Sequence, residues 1–319
     1  MKEIFMETDI KTVSSVERNK AASNVCKRLF PLWTKPPTQG ELQRIIIESS
    51  KFGASDREIE KAGNWWLWIR NLAIENTFEK QMQFSLMKIA VRTAIGNEPI
   101  SIVSCRSPEL LHAQVSEQGD PSLPRTRKAI VKLQQIVAHS SEFLPTILTI
   151  VFADLAIDNL EEIRKRCNVD QTIDKNIDIV SSICQEQGLN QFKIIKMSQL
   201  QSPNGRILSD DIFRSGLAKN IITLDNRSKT LIEIVTKESF ISHQTMFGWT
   251  HEQSFKHNLD LGITMGFVGR AIHSTFPSAV LIHNEAFIAR GALNNLFTDP
   301  SDPLPVICLK DLLESKKNK

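Results

Sequence analysis

The stretch Thr146-Ile-Leu-Thr-Ile-Val-Phe152 constrains the fold more than any other part of this chain. It is a continuous β-branched and apolar run, preceded by Pro145 and flanked on both sides by segments of helical period. A strand with one wet face alternates polar and apolar residues. An unbroken apolar run between helices is the mark of a strand covered on both faces, which is how parallel sheets are built.

Similar signals recur. Ile100 to Ser104, Phe192 to Ile195, Ala279 to Ile282 and Pro305 to Leu309 read as further short strands. Between them, Arg125 to His139 carries Ala129, Ile130, Leu133, Ile136 and Val137 on one helical face. Helices are expected at about 159–167 and at 172–187, the latter stopped by Gly188, and again over 229–243 and 250–273. Residues 201–230 are polar and ambiguous. Strands alternating with helices predict βαβ units. The expected fold class is α/β and Rossmann-like, a largely parallel sheet flanked by helices, with a helical segment at the N-terminus.

That segment occupies residues 1–95, and the α/β domain residues 96–319, with the change of character at Gly96-Asn97-Glu98-Pro99. Residues 1–39 hold a basic helix-like stretch, Glu17 to Leu29, followed by Pro31, Pro36 and Pro37. Farther on, Ser55-x-x-Glu58 offers a capping box. Trp65, Trp66 and Trp68 fall at largely helical spacing, where large aromatics are normally core rather than a stacking surface.

Composition sets outer bounds. The 319 residues are 41% hydrophobic and 24% charged, which is ordinary globular usage, and the net charge of +3 does not call for nucleic acid. The N-terminus lacks the apolar core of a signal peptide, and no apolar run is long enough to span a bilayer, so a cytoplasmic location and no membrane partner are expected. The cysteines, Cys26, Cys105, Cys167, Cys184 and Cys308, are odd in number and widely spaced, which suits free thiols in a reducing compartment. There is no tyrosine, so no mechanism can rely on a phenol. The glycine-rich phosphate and dinucleotide motifs and the nucleophile elbow are missing. Neither a cofactor nor a metal is expected.

In parallel sheets ligands bind beyond the carboxyl ends of the strands. That rule selects Ser104, Cys105, Arg106 and Ser107 after the first strand, Asp154 after the second, Lys196 after the third, and His283 and Glu285 after the fourth. Cys105 is either a nucleophile or a buried inert thiol. Arg106, between Ser104 and Ser107 and ahead of Pro108, either grips an anion or pairs on the surface. Asp154 either serves a substrate or caps the next helix. His283 and Glu285, two apart, share a face of an extended strand and form either an acid–base pair or a satisfied histidine and a salt-bridged glutamate. His243, His251 and His257 lack metal-binding spacing and read as a polar face.

The order of these pieces resembles the pyoverdine/dityrosine biosynthesis family, which includes isonitrile synthases. Its Lys-Ser-Pro-Asn segment is similar to Arg106-Ser107-Pro108-Glu109. Its loop and A-L-x-x-L helix are similar to Gly119 through Pro124 followed by Ala129-Ile130-x-x-Leu133. Its strand ending in aspartate looks like that ending at Asp154, its GLN-x-F phrase like Gly188 to Phe192, and its aromatic-proline and Ile-His like Phe276-Pro277 and Ile282-His283. The match covers roughly residues 100–285. Arginine replaces the family's lysine, and no proline follows His283.

The resemblance implies a biosynthetic transferase that joins the amine of an amino acid to ribulose 5-phosphate. Arg106 would hold phosphate, Asp154 the substrate ammonium, and His283 would move protons. Two further readings stay open. One is a cyclodipeptide synthase using aminoacyl-tRNA through Ser104 or Ser107, a family that uses a tyrosine this chain lacks. The other is a non-catalytic effector protein whose partner surface is the N-terminal helical segment. Association into a homodimer is also left open.

Overall fold

The computed structural model describes residues 55–72, 79–96, 98–106, 123–152, 154, 169–189, 191–201, 208, 226–283, 293–299 and 302–308. Among them the order is α1 (Asp56–Leu72), α2 (Glu79–Gly96), β1 (Ile100–Arg106), α3 (Leu123–Ser141), β2 (Thr146–Phe152), α4 (Val169–Glu186), β3 (Phe192–Lys196), α5 (Asn226–Phe247), α6 (His251–Thr275), β4 (Ala279–His283) and β5 (Val306–Cys308). The helix expected at 159–167 and the basic stretch near the N-terminus lie outside the described residues.

All five strands run parallel, in the order β3-β2-β1-β4-β5. The fold is therefore α/β and Rossmann-like. From β1 the chain winds outward to β2 and β3, then returns to place β4 and β5 on the other side of β1. The winding reverses between β1 and β4, and such a switch point opens a crevice at the carboxyl ends of the two strands.

Each sheet face has its own cover, and residue parity decides which side chain meets which. Ile100 and Ile102 of β1, Leu148, Ile150 and Phe152 of β2, and Val280 and Ile282 of β4 share one core with residues of α1, α2, α3 and α4. The alternate residues Val103, Val151, Ala279 and Leu281 pack with Val268, Ala271 and Ile272 of α6. Helix α5 lies on the far side of α6, where its Ile232 and Val235 meet Ile263 and Leu293.

Local chemistry ends the helices where the sequence suggests. Ser55 and Glu58 exchange hydrogen bonds, Glu58 N–H to Ser55 Oγ at 3.3 Å and Ser55 N–H to Glu58 Oε2 at 2.8 Å. Accepting the backbone N–H and the hydroxyl of Ser55 lowers the Glu58 carboxyl from its ordinary range. Helix α6 opens with a second capping box, between Thr250 and Gln253. Gly188, at φ 71°, closes α4 in the left-handed region, and Leu189 N–H reaches back to the Cys184 carbonyl at 3.0 Å.

Trp65 and Trp66 are fully buried, in keeping with a core role. Trp65 Nε1–H donates to Ser140 Oγ at 2.7 Å; that hydroxyl lies 2.7 Å from Thr146 Oγ1, which in turn donates to the Leu144 carbonyl at 2.9 Å. This chain ties α1 to the end of α3 and the start of β2. Ser140→Ala would strand the indole N–H in a dry environment, so urea unfolding should report a loss of about 1–3 kcal/mol.

Candidate active site at the carboxyl rim

Strand β1 runs two residues beyond the span expected for it. Cys105 and Arg106 stay extended because they continue the parallel register, opposite Val151 and Phe152. Arg106 is thus the last residue of a strand rather than the start of a turn. Ser107 and Glu285 lie outside the described residues.

Ser104 and Arg106 continue the parity of Ile100 and Ile102, on the face covered by α4. Ser104 is completely buried, and its hydroxyl finds no hydrogen-bond partner among the described residues. Arg106 lies close enough to Cys184 of α4 for its positive charge to act on that thiol. Burial still dominates there and pushes the Cys184 thiol up to about 11. On the opposite parity, burial pushes the Cys105 thiol up to about 12. Such a thiol carries almost no thiolate at neutral pH, so of its two readings Cys105 fits the inert one.

Lys196 ends β3 on the same face as Arg106 and pairs with Asp174 of α4, Nζ to Oδ1 at 2.8 Å. Its side chain is one-third exposed and Asp174 more so, and a pair of that kind adds little stability.

Asp154 stands two residues past β2 and turns toward the end of β3. Its Oδ1 accepts from the Ser198 N–H at 2.9 Å, and Oδ2 accepts from the Ser198 hydroxyl. The carboxylate caps the short 3₁₀ turn Met197–Gln199 and so clasps two neighbouring strand ends. The segment Lys196-Met197-Ser198 supplies that partner.

His283 closes β4 with the parity of Ala279 and Leu281, and so faces the α6 layer. Its Nε2 lies 2.8 Å from Asn294 Nδ2. Asn294 belongs to the turn Leu293–Asn295, which sits directly on α6: a Cβ at Gly269 would come within 2.0 Å of the Asn294 carbonyl oxygen. Gly262 and Gly266 meet Leu293, Leu296 and Phe297 in the same seat. Asn294 did not figure among the residues expected at the rim. The signal that could have found it is the spacing Gly262-x₃-Gly266-x₂-Gly269, a smooth stripe on a helix where another backbone can approach.

The structure thus gathers Ser104, Arg106, Asp154, Lys196 and His283 at one edge of the sheet. Ser104 lies in register with Ile282, the residue before His283, so the β1 and β4 groups sit at matching heights beside the switch point. The two sheet faces divide them, however. Ser104, Arg106 and Lys196 turn toward the α4 layer, and His283 turns toward α6.

Of the three histidines of α5 and α6, which lie elsewhere, His251 is exposed and His257 partly so, as on a polar face, while His243 departs from that expectation. His243 is buried, with Nδ1 3.2 Å from Ser254 Oγ and its ring edge-on to Trp249 and His257. The aromatic neighbours and the hydroxyl make burial of an imidazole affordable.

Searches of the chain against protein-family models, curated proteins and solved structures return no match.

Proposed function

We propose that the chain is a biosynthetic transferase of the isonitrile synthase type, acting at the carboxyl rim on the amine of an amino acid with ribulose 5-phosphate as co-substrate. The observation that carries this reading is the placement of a buried Ser104 hydroxyl and the Arg106 side chain two residues apart on one face of β1, at the end of the strand that flanks the switch point. A planar cation beside a hydroxyl suits a phosphate.

The division of polar groups between the two faces suits a substrate that lies across the strand ends. Its phosphate would rest on the Arg106 side of β1 and its reacting carbon on the His283 side of β4. Asp154, held by Ser198, would present its carboxylate to the ammonium of the amino acid. Lys196 would add positive charge on the phosphate side.

Purified protein incubated with amino acids and ribulose 5-phosphate, with products read by mass spectrometry, tests the reading. An isonitrile that forms only when both substrates are present is the expected result. Neither product nor binding with any amino acid would count against it.

A further inference from the structure

We propose that the outward face of α3 is a docking surface for a single strand of nucleic acid, with phosphates on Lys128 and Lys132 and a base against the rings of Trp68, His139 and Phe143. The proposal stands apart from the carboxyl rim and does not rest on its reading.

Helix α3 turns Ile130, Leu133, Ile136 and Val137 into the core. Spacings of three and four then line up Lys128, Lys132, Gln135 and His139 as one row on the other side. Lys128 and Gln135 are exposed, and Lys132 and His139 partly so. The two lysines are about 6 Å apart along the helix axis, and His139 lies about 10 Å beyond Lys132.

Like charges one turn apart repel each other unless something answers them. Arg127 is answered by Glu186. Lys128 and Lys132 meet no carboxylate among the described residues. Burial, and then the charge of Lys128, hold the Lys132 ammonium below its ordinary value. A pair of lysines in this state gains from an anion that bridges them.

The far end of the row has a different chemistry. Trp68 of α1 meets the His139 ring at 4.9 Å, and Phe143 meets the same ring at 5.5 Å. All three rings are partly exposed, and Leu67 beside them is 37% exposed. Glu142 Oε2 lies 3.2 Å from His139 Nδ1, so a carboxylate borders the rings. Phosphate is therefore drawn to the lysine end and repelled at the aromatic end, where a flat uncharged ring gains most. A nucleic-acid strand offers both groups at every step. A duplex keeps its base faces stacked away, so the strand must be single. An acidic peptide would answer the lysines but set its carboxylates against Glu142 and leave the rings unused. The net charge of +3 gives no sign of such a face, because the signal lies in placement.

The test is fluorescence anisotropy of a labelled oligouridylate of about ten nucleotides, titrated with the full chain at several salt concentrations. Saturable binding is expected, with the logarithm of the association constant falling linearly with the logarithm of salt. Each phosphate contact on a single strand contributes about 0.7 to that slope, so replacing both Lys128 and Lys132 with alanine should flatten it by about 1.4. His139→Ala should weaken binding by about 5- to 150-fold, the worth of one stacked base, and leave the slope unchanged. No saturable binding at low salt overturns the proposal, as does a slope that the double lysine variant leaves unchanged. Equal affinity for a polyglutamate of matching charge also overturns it, because the face then reads charge alone. The lysines project from the surface, so their variant decides the matter even if His139→Ala does not fold.

Discussion

Replacing Asp302 with alanine should lower the unfolding free energy at pH 7 by about 3 kcal/mol, measured by urea denaturation. The carboxylate stands just ahead of β5 and joins both layers of the molecule: Lys88 of α2 pairs with it from one side, and His273 of α6 approaches from the other at 3.4 Å. Arg92, one turn along α2, is buried, pairs with Glu98 at 3.1 Å and also feels the Asp302 charge. Removing this carboxylate leaves the Lys88 ammonium without its partner in a poorly hydrated place, which costs more than the pair itself contributes.

The same carboxylate predicts an acid-labile component of stability. Burial alone would raise the Asp302 carboxyl, but the hydrogen bond from His273 and the charge of Lys88 outweigh it and hold the group at about 2. A depressed folded value means the folded state prefers the ionised form. The contribution is therefore complete above the ordinary aspartate value of about 4 and is lost as pH falls from there toward 2. The difference between the two values corresponds to about 2.5 kcal/mol. The gap between the unaltered chain and Asp302→Ala should accordingly be wide at pH 7 and narrow near pH 2. A gap independent of pH would refute the assignment.

Gly269→Ala should cost about 3 kcal/mol, a large effect for one methyl group. The added carbon would meet backbone, the Asn294 carbonyl, at 2.0 Å, and no rotamer can move aside. Either α6 or the Leu293–Asn295 turn must shift. A shifted turn carries Asn294 away from His283. Gly262→Ala is the control: its new carbon would meet the Leu293 side chain at 3.3 Å, a contact that a small adjustment relieves. Thermal melts that rank the two substitutions equally would contradict this packing account.

Much of the scaffold is legible in the chain because hydrophobic period is a local property. The apolar run 146–152 becomes a strand with the same bounds, and Gly188 stops α4 by a conformation that only its own φ angle requires. Charges at strand ends can be placed on one rim because parallel strands finish together. The two faces were also latent in the parity of residues 100 to 106 and 279 to 283, but reading them requires knowing which helix covers which side, and strand order decides that. The partners of the polar groups are another matter. Lys88 meets Asp302 across 214 positions, and Asp154 meets Ser198 across 44. No spacing rule reaches so far. The Asn294 contact is hidden for a different reason: 11 residues separate it from His283, and only the seating of its turn on a glycine stripe of α6 brings it back.

The central claim is that the end of β1 receives a phosphate, and calorimetric titration of the full chain with ribulose 5-phosphate tests it most directly. The account predicts saturable binding that Arg106→Ala weakens by about 10- to 100-fold, the worth of a hydrogen bond to a charged group. Equal binding by the two proteins, or none by either, would contradict it.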